Sequence, residues 1–159
     1  MNTGIKNLCM DVELELKESR KSADPFEGFN PLTLEGGQFK IIVVHAILSK
    51  DTEKAVDLVC KKFGVKTPTL KIGMPKGLKK ALGVYTVQSN SIGFRDHEQF
   101  FNPFVVLHEL YHCIRSTSGT HRGTEKNADR FAISYIEEYN RFARRVLRGE
   151  LLAQREKVD

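Results

Sequence analysis

The chain of 159 residues is the size of one ordinary domain, long enough to bury a core of its own. With 40% hydrophobic and 28% charged residues it has a globular composition, and its longest apolar run, Ile41–Leu48, is broken by His45 and is too short to cross a bilayer. A net charge of +5 and a pI near 9.1, with much of the excess in the tail "RFARRVLRGELLAQREK", leave a nucleic-acid or acidic partner open. No nucleic-acid fold signature accompanies the charge, so a solvated helix face also explains it.

The amino-terminal stretch lacks a basic start followed by an apolar segment, so no secretory signal is expected. Cys9, Cys60 and Cys113 are odd in number and lack metal-finger spacing, which points to a reducing, cytoplasmic setting.

Residues 1–38 read as a leader or linker, because "ESRKSADPFEGFNPLTLEGG" mixes charge with two prolines and three glycines. "FKIIVVHAIL" (39–48) is apolar and β-branched, which favours a strand, although periodicity alone does not separate a buried strand from a buried helix. Asp51 is placed to cap a helix running to about Phe63, with Ala55, Val56, Leu58, Val59 and Phe63 on one face and Gly64 at its end. "TPTLKIG" reads as a short strand, and "LGVYTVQSNSIGFRD" as two strands about a turn at Ser89-Asn90-Ser91.

Asn102-Pro103 then starts a helix, with Asn at the cap and Pro at the first helical position. "STSGTHRG" (116–123) is a loop. Thr124 can cap a last long helix, whose apolar positions Ala128, Phe131, Ala132, Tyr135, Ile136 and Tyr139 recur at helical spacing and which can run on into the basic tail. The expected order of strand, helix, β-ribbon, helix, loop and helix is an α+β fold.

The helix after Asn102-Pro103 carries "VVLHELYHCIR". Buried ionisable groups are costly unless paired or bound to metal, and here three interrupt an apolar stretch. His108 and His112, four apart, project from one helix face, a spacing that lets both rings reach one ion at about 2.0–2.1 Å. Glu109 is rotated by about 100° from His108, so it flanks the ion and can take a proton from water. A catalytic zinc wants a third protein ligand. Downstream, "GTEKNADRFA" sets Glu125 and Asp129 four apart beside Ala128 and Ala132, small residues that let two helices approach. One carboxylate can complete the metal site and the other accept a ring N–H of a ligand histidine.

These motifs resemble those of the gluzincin zinc metallopeptidases, which pair H-E-x-x-H on one helix with a glutamate ligand on a later one. Within that group the chain is most similar to the small ImmA/IrrE-type proteins and minigluzincins, whose glutamate helix often reads E-x-x-A-(D/N)-x-F-A. Their β-ribbon ahead of the active-site helix also has a counterpart in "GVYTVQSNSIGFRD". The resemblance spans roughly residues 51–140. It implies a minimal zincin-like domain at 39–147, with a backing helix and small β-ribbon followed by an active-site helix and a glutamate helix, and a basic helical tail at 148–159. It further implies one Zn2+ per chain held by His108, His112 and Glu125, with Glu109 as general base and Asp129 orienting a ligand histidine.

The metzincin pattern does not apply, since Arg115 and Ser118 stand where a glycine and a third histidine would be. A likeness to aspzincins keeps Asp129 open as the third ligand. His121 and Tyr135 are candidate oxyanion stabilisers, as are Tyr85, Tyr111 and Arg122. Cys9 is a candidate zinc cap, whereas Cys113 and His45 read as core residues, and His97 and Glu98 as surface ones. The expected function is zinc-dependent hydrolysis of a protein or peptide substrate, aligned along Val84–Gln88 or Ser91–Phe94. The alternative is a non-catalytic zinc-binding regulator that contacts nucleic acid or a partner weakly through the basic tail.

Overall fold

The computed structural model describes residues 36–117 and 125–155. Its first element corrects an expectation: "FKIIVVHAIL" lies in a helix, α1 (Gly37–Leu48), and not in a strand. Seven of its residues from Phe39 to Ile47 are buried, on all sides of the helix. A helix surrounded by protein has no polar face, so its sequence looks like a buried strand. Packing then overrides the modest helix cost of β-branched residues. His45, the core histidine expected in this segment, is buried with Nε2 3.4 Å from the hydroxyl of Ser49, a neighbour only in helical geometry.

α2 (Thr52–Phe63) follows as expected. The Asp51 side chain accepts the Lys54 N–H, and Gly64 in the left-handed region lets the chain leave the helix. A mixed three-stranded sheet comes next: β1 (Thr69–Ile72), β2 (Gly83–Thr86) and β3 (Ser91–Phe94), in the order β1-β3-β2. β3 is parallel to β1 and antiparallel to β2, and all four of its residues are buried. This removes Ser91–Phe94 as a strand that could receive a substrate, because both its edges are paired. β2 is an edge strand. In β3, Gly93 lies so close to Gly73 that an added Cβ would sit 2.8 Å from the Gly73 carbonyl oxygen.

A short helix, α3 (His97–Phe100), is capped by Asp96 and keeps His97 and Glu98 exposed. The buried Thr52 hydroxyl donates to the Phe100 carbonyl and ties this connection to α2. The helix α4 (Pro103–Thr117) starts as its sequence requires, with Asn102 Oδ1 accepting the Phe104 N–H at 3.0 Å. α4 buries Val106, Leu107, Leu110 and Cys113 completely. It lies between β2 and the long helix α5 (Glu125–Arg155). Ala128 and Ala132 are fully buried on α5, so no side chain longer than a methyl separates the helices there. Tyr135, Ile136, Tyr139 and Ala143 continue the same buried stripe, which also covers α1.

The expected division at residue 148 falls inside α5, and Thr124 lies outside the described residues. Among the described residues no helix is long and apolar enough to cross a membrane.

Two glycine substitutions test this packing with opposite signs. Gly93→Ala forces a backbone carbonyl aside and is expected to cost about 1–3 kcal/mol. Gly149→Ala meets nothing within 4 Å and is expected to gain up to about 1 kcal/mol from helix propensity. Thermal unfolding followed by circular dichroism reads both.

Candidate metal centre

The face of α4 that its apolar residues leave over carries His108, Glu109 and His112, and α5 delivers Glu125 and Asp129 opposite the two histidines. His108 Nε2 and His112 Nε2 are 3.3 Å apart. Glu125 reaches both, with Oε2 3.0 Å from His108 Nε2 and Oε1 3.2 Å from His112 Nε2. The other nitrogen of His108, Nδ1, lies 3.0 Å from Asp129 Oδ1.

The last contact fixes the chemistry of the others. An Nδ1–H donated to a carboxylate leaves the neutral ring with a lone pair on Nε2, a tautomer assigned from the partner it faces. That lone pair faces a second imidazole nitrogen, which can carry a proton between the two rings and Glu125, and a carboxylate. A cation placed among them could take a lone pair from each of the three. The spacing suits zinc, since ligand atoms about 2.0–2.1 Å from a tetrahedral ion stand about 3.3–3.4 Å from one another. Among the described residues, His108, His112 and Glu125 are the group able to hold a metal, with their ligand atoms all within 4.8 Å. Asp129 is in contact with a ring nitrogen of His108 on the side away from that group, the position of a carboxylate that orients a ligand.

Glu109 is set apart from this group. It is 9% exposed, and its Oε2 accepts the backbone N–H of Tyr85 in β2 at 2.9 Å. Burial pushes its carboxyl above the usual range; the nearby His108 ring and the Tyr85 N–H pull the other way, and Glu125 adds to the rise. Helix and strand approach this closely because residue 83 is glycine. A Cβ there would lie 2.9 Å from both Glu109 Cγ and Val105 Cγ1, and 3.4 Å from Glu109 Oε1. Burial lowers the His112 pKa, partly offset by Glu125, which favours the neutral ring that can ligate.

These residues line a cleft of about 400 Å3, within the usual range of ligand sites. β2 and the following Val87 form one wall, the face of α4 from His108 to Ser116 the other, and Glu125 stands at the rim with its side chain 79% exposed.

Of the candidate oxyanion stabilisers, His121 and Arg122 lie outside the described residues. Tyr135 is buried against Phe39 and Phe131, where burial raises its hydroxyl pKa, and it does not line the cleft. Tyr111 packs between His112, edge to face, and the tilted ring of Phe131. Tyr85 does line the cleft, and its hydroxyl joins a chain in which Ser116 donates to it at 3.2 Å and it donates to Asn90 Oδ1 at 3.0 Å. Cys113 is fully buried, as expected of a core residue, and Cys9 lies outside the described residues. Sequence reasoning missed Gly83, Arg115 and Ser116 as cleft residues. Arg115 and Ser116 stand three and four positions beyond His112, a helical spacing that was there to be read. Nothing in the sequence marks Gly83, whose importance comes from helix residues 22 and 26 positions later, Val105 and Glu109, meeting it in space.

Comparison of the chain with protein-family models, with curated proteins and with solved structures finds no match.

The raised carboxyl of Glu109 has a consequence for stability. A group whose folded pKa exceeds its unfolded value binds its proton more tightly in the fold. Its ionisation therefore opposes folding progressively as pH rises from the ordinary value of 4.5 through the folded pKa. Glu109→Gln keeps an acceptor for the Tyr85 N–H and removes that cost. Metal-free Glu109→Gln protein is expected to melt higher than metal-free wild type above neutral pH, with the gain fading towards pH 4.5. Thermal midpoints measured across pH check this.

Proposed function

We propose that the protein is a zinc-dependent peptidase with a zincin-like arrangement of its elements, in which Glu109 carries the proton. The observation that supports this most strongly is the convergence of His108, His112 and Glu125 beside a buried glutamate that is not part of the ligand group. A structural zinc closes all four positions with protein ligands, whereas a catalytic one has three and an open place. The group here numbers three among the described residues and lies on the cleft.

Zinc bound there would supply a Lewis acid that polarises a carbonyl oxygen and acidifies water in the open position. The chain's own groups do the rest. Oε2 of Glu109 is engaged by the Tyr85 N–H, so Oε1 is the atom that takes a proton from the attacking water and hands it to the leaving amine. Burial makes this carboxylate a stronger base than a solvated glutamate. Asp129 holds the His108 ring in the tautomer that offers Nε2.

The substrate lies along β2. Alternate residues of a strand turn their backbone groups to the same side, so Gly83 presents its own on the edge from which the Tyr85 N–H reaches Glu109. An extended peptide can add to that edge by main-chain hydrogen bonds, with its scissile carbonyl carried past Glu109 and the metal ligands. Beside this activity, Arg141, Arg144, Arg145 and Arg148 are exposed along α5. They favour a weak, salt-sensitive contact with polyanions.

Glu109→Gln is expected to retain zinc and fold and to lose hydrolysis by a factor of about 10²–10⁴. Digestion of a mixed peptide library by the zinc-loaded proteins, read by mass spectrometry, measures it. Undiminished turnover in the variant would remove the role given to Glu109.

A further inference from the structure

We propose that the open edge of β1 docks an extended segment of a partner polypeptide in which acidic and aliphatic side chains alternate. This goes beyond the peptidase reading and does not depend on the metal, because the cleft lies against β2, at the opposite edge of the sheet.

The charge of this part of the chain is one-sided. Between Asp57 and Asp96 the sequence holds eight lysines and arginines and no acidic residue, against a net charge of +5 for the whole chain. Lys61 and Arg95 pair with the two bounding aspartates at 2.6 and 3.0 Å, and Lys62 lies over the ring of Phe39. Lys66, Lys71, Lys76, Lys79 and Lys80 are exposed, and none of the five has an ion-pair partner among the described residues. Lys71 stands in β1 itself, Lys66 three residues before the strand and Lys76 four residues after it. A solvated surface accounts for exposed lysines, but it does not require that every acid be missing from the same stretch.

The second observation is the strand edge. The Thr69 N–H donates to the Asn90 carbonyl at 2.9 Å and the Gly73 N–H to the Phe94 carbonyl at 2.7 Å, so these residues face β3. Backbone groups alternate along a strand, and those of Leu70 and Ile72 therefore turn to the other side, where no strand pairs with β1 among the described residues. Such an edge is a template for a further strand. The side chains alternate as well. Leu70 packs against the core, and Ile72 continues its face outward with 45% of its surface exposed, while Lys71 occupies the opposite face.

These features select the occupant. An added strand would place an aliphatic side chain against Ile72 and a carboxylate across from Lys71, the pairing that favours neighbouring strands. Lysine on an edge guards against pairing with a like chain, so a second copy, bringing the same lysines, is disfavoured where an acidic strand is not. A nucleic acid makes no use of the free main-chain groups, and the exposed apolar residues of this stretch nearest the lysines, Ile72 and Leu78, are aliphatic and offer no ring for a base to stack on.

The test titrates the full-length protein by fluorescence anisotropy with a labelled decapeptide alternating glutamate with valine or threonine. Its glutamine counterpart and a single-stranded oligothymidine of matched charge are titrated beside it. The glutamate peptide is expected to bind about tenfold more tightly than the glutamine peptide, the combined effect of a few exposed ion pairs, with the preference fading at high salt. The triple variant Lys66→Gln, Lys71→Gln, Lys76→Gln should abolish the preference, and Arg144→Gln with Arg145→Gln on α5 should leave it. N-methylation of every second peptide residue removes main-chain donors without altering charge. In one of its two frames it should weaken binding to the unaltered protein about tenfold or more, and in the other leave it intact.

Equal binding of the glutamate and glutamine peptides overturns the proposal, as does indifference to N-methylation in both frames. Oligothymidine bound as tightly as the acidic peptide, and lost in the same lysine variant, replaces the polypeptide with a nucleic acid and overturns it as well. A dimer of the wild-type chain in sedimentation that is lost in Ile72→Thr places a second copy on the edge, with the same consequence. None of these results bears on zinc content, so the metal centre stands or falls separately.

Discussion

Three electron-rich atoms within 4.8 Å of one another are the constraint on which the rest of the molecule turns. Two imidazole nitrogens and a carboxylate oxygen meet there, each with a lone pair it can give to a cation. Asp129 lies against the far nitrogen of His108, where an Nδ1–H donated to it leaves Nε2 free to ligate. The fold builds this arrangement from its most rigid parts. His108 and His112 come from a helix whose other faces are buried among Val106, Leu107, Leu110 and Cys113. Glu125 and Asp129 come from a helix seated on the first through Ala128 and Ala132. A substitution that widened the helix contact at either alanine would move the carboxylates away from the histidines.

The second connection runs from α4 to the sheet. The Glu109 carboxylate is buried and held by one backbone N–H of an edge strand, and Gly83 provides the room. A strand edge close enough to touch the proposed proton carrier is also close enough to lay a peptide over it. The proposed binding edge and the proposed proton carrier are thus placed by the same contact, within the five helices and three short strands of the described residues.

How much of this was legible in the sequence depended on the range of the forces involved. Local signals read correctly. Asp51 and Gly64 bound α2, Asn102-Pro103 starts α4, and Asn90, at a positive φ, occupies the turn of the β2–β3 hairpin. The histidine pair and the later acidic pair were readable because each lies within one helix, where spacing fixes direction. What failed was "FKIIVVHAIL", because α1 is covered on all sides and no periodicity survives in it. The order of the strands was also hidden. Nothing in Ser91–Phe94 tells that it becomes the central strand, or that Val84 and its neighbours become the edge. Gly83 and Arg115 matter only through partners brought to them by that order and by the packing of α4.

The central claim is that the convergence of His108, His112 and Glu125 exists to hold a metal ion. Its most direct test is metal content per chain, measured by inductively coupled plasma mass spectrometry on the wild-type, Glu125→Ala and Asp129→Ala proteins. The account predicts about one zinc per folded wild-type chain, none in Glu125→Ala, and retained but weakened binding in Asp129→Ala. A folded wild-type protein that takes up no zinc when zinc is supplied would contradict it. So would a Glu125→Ala protein that binds as well as the wild type.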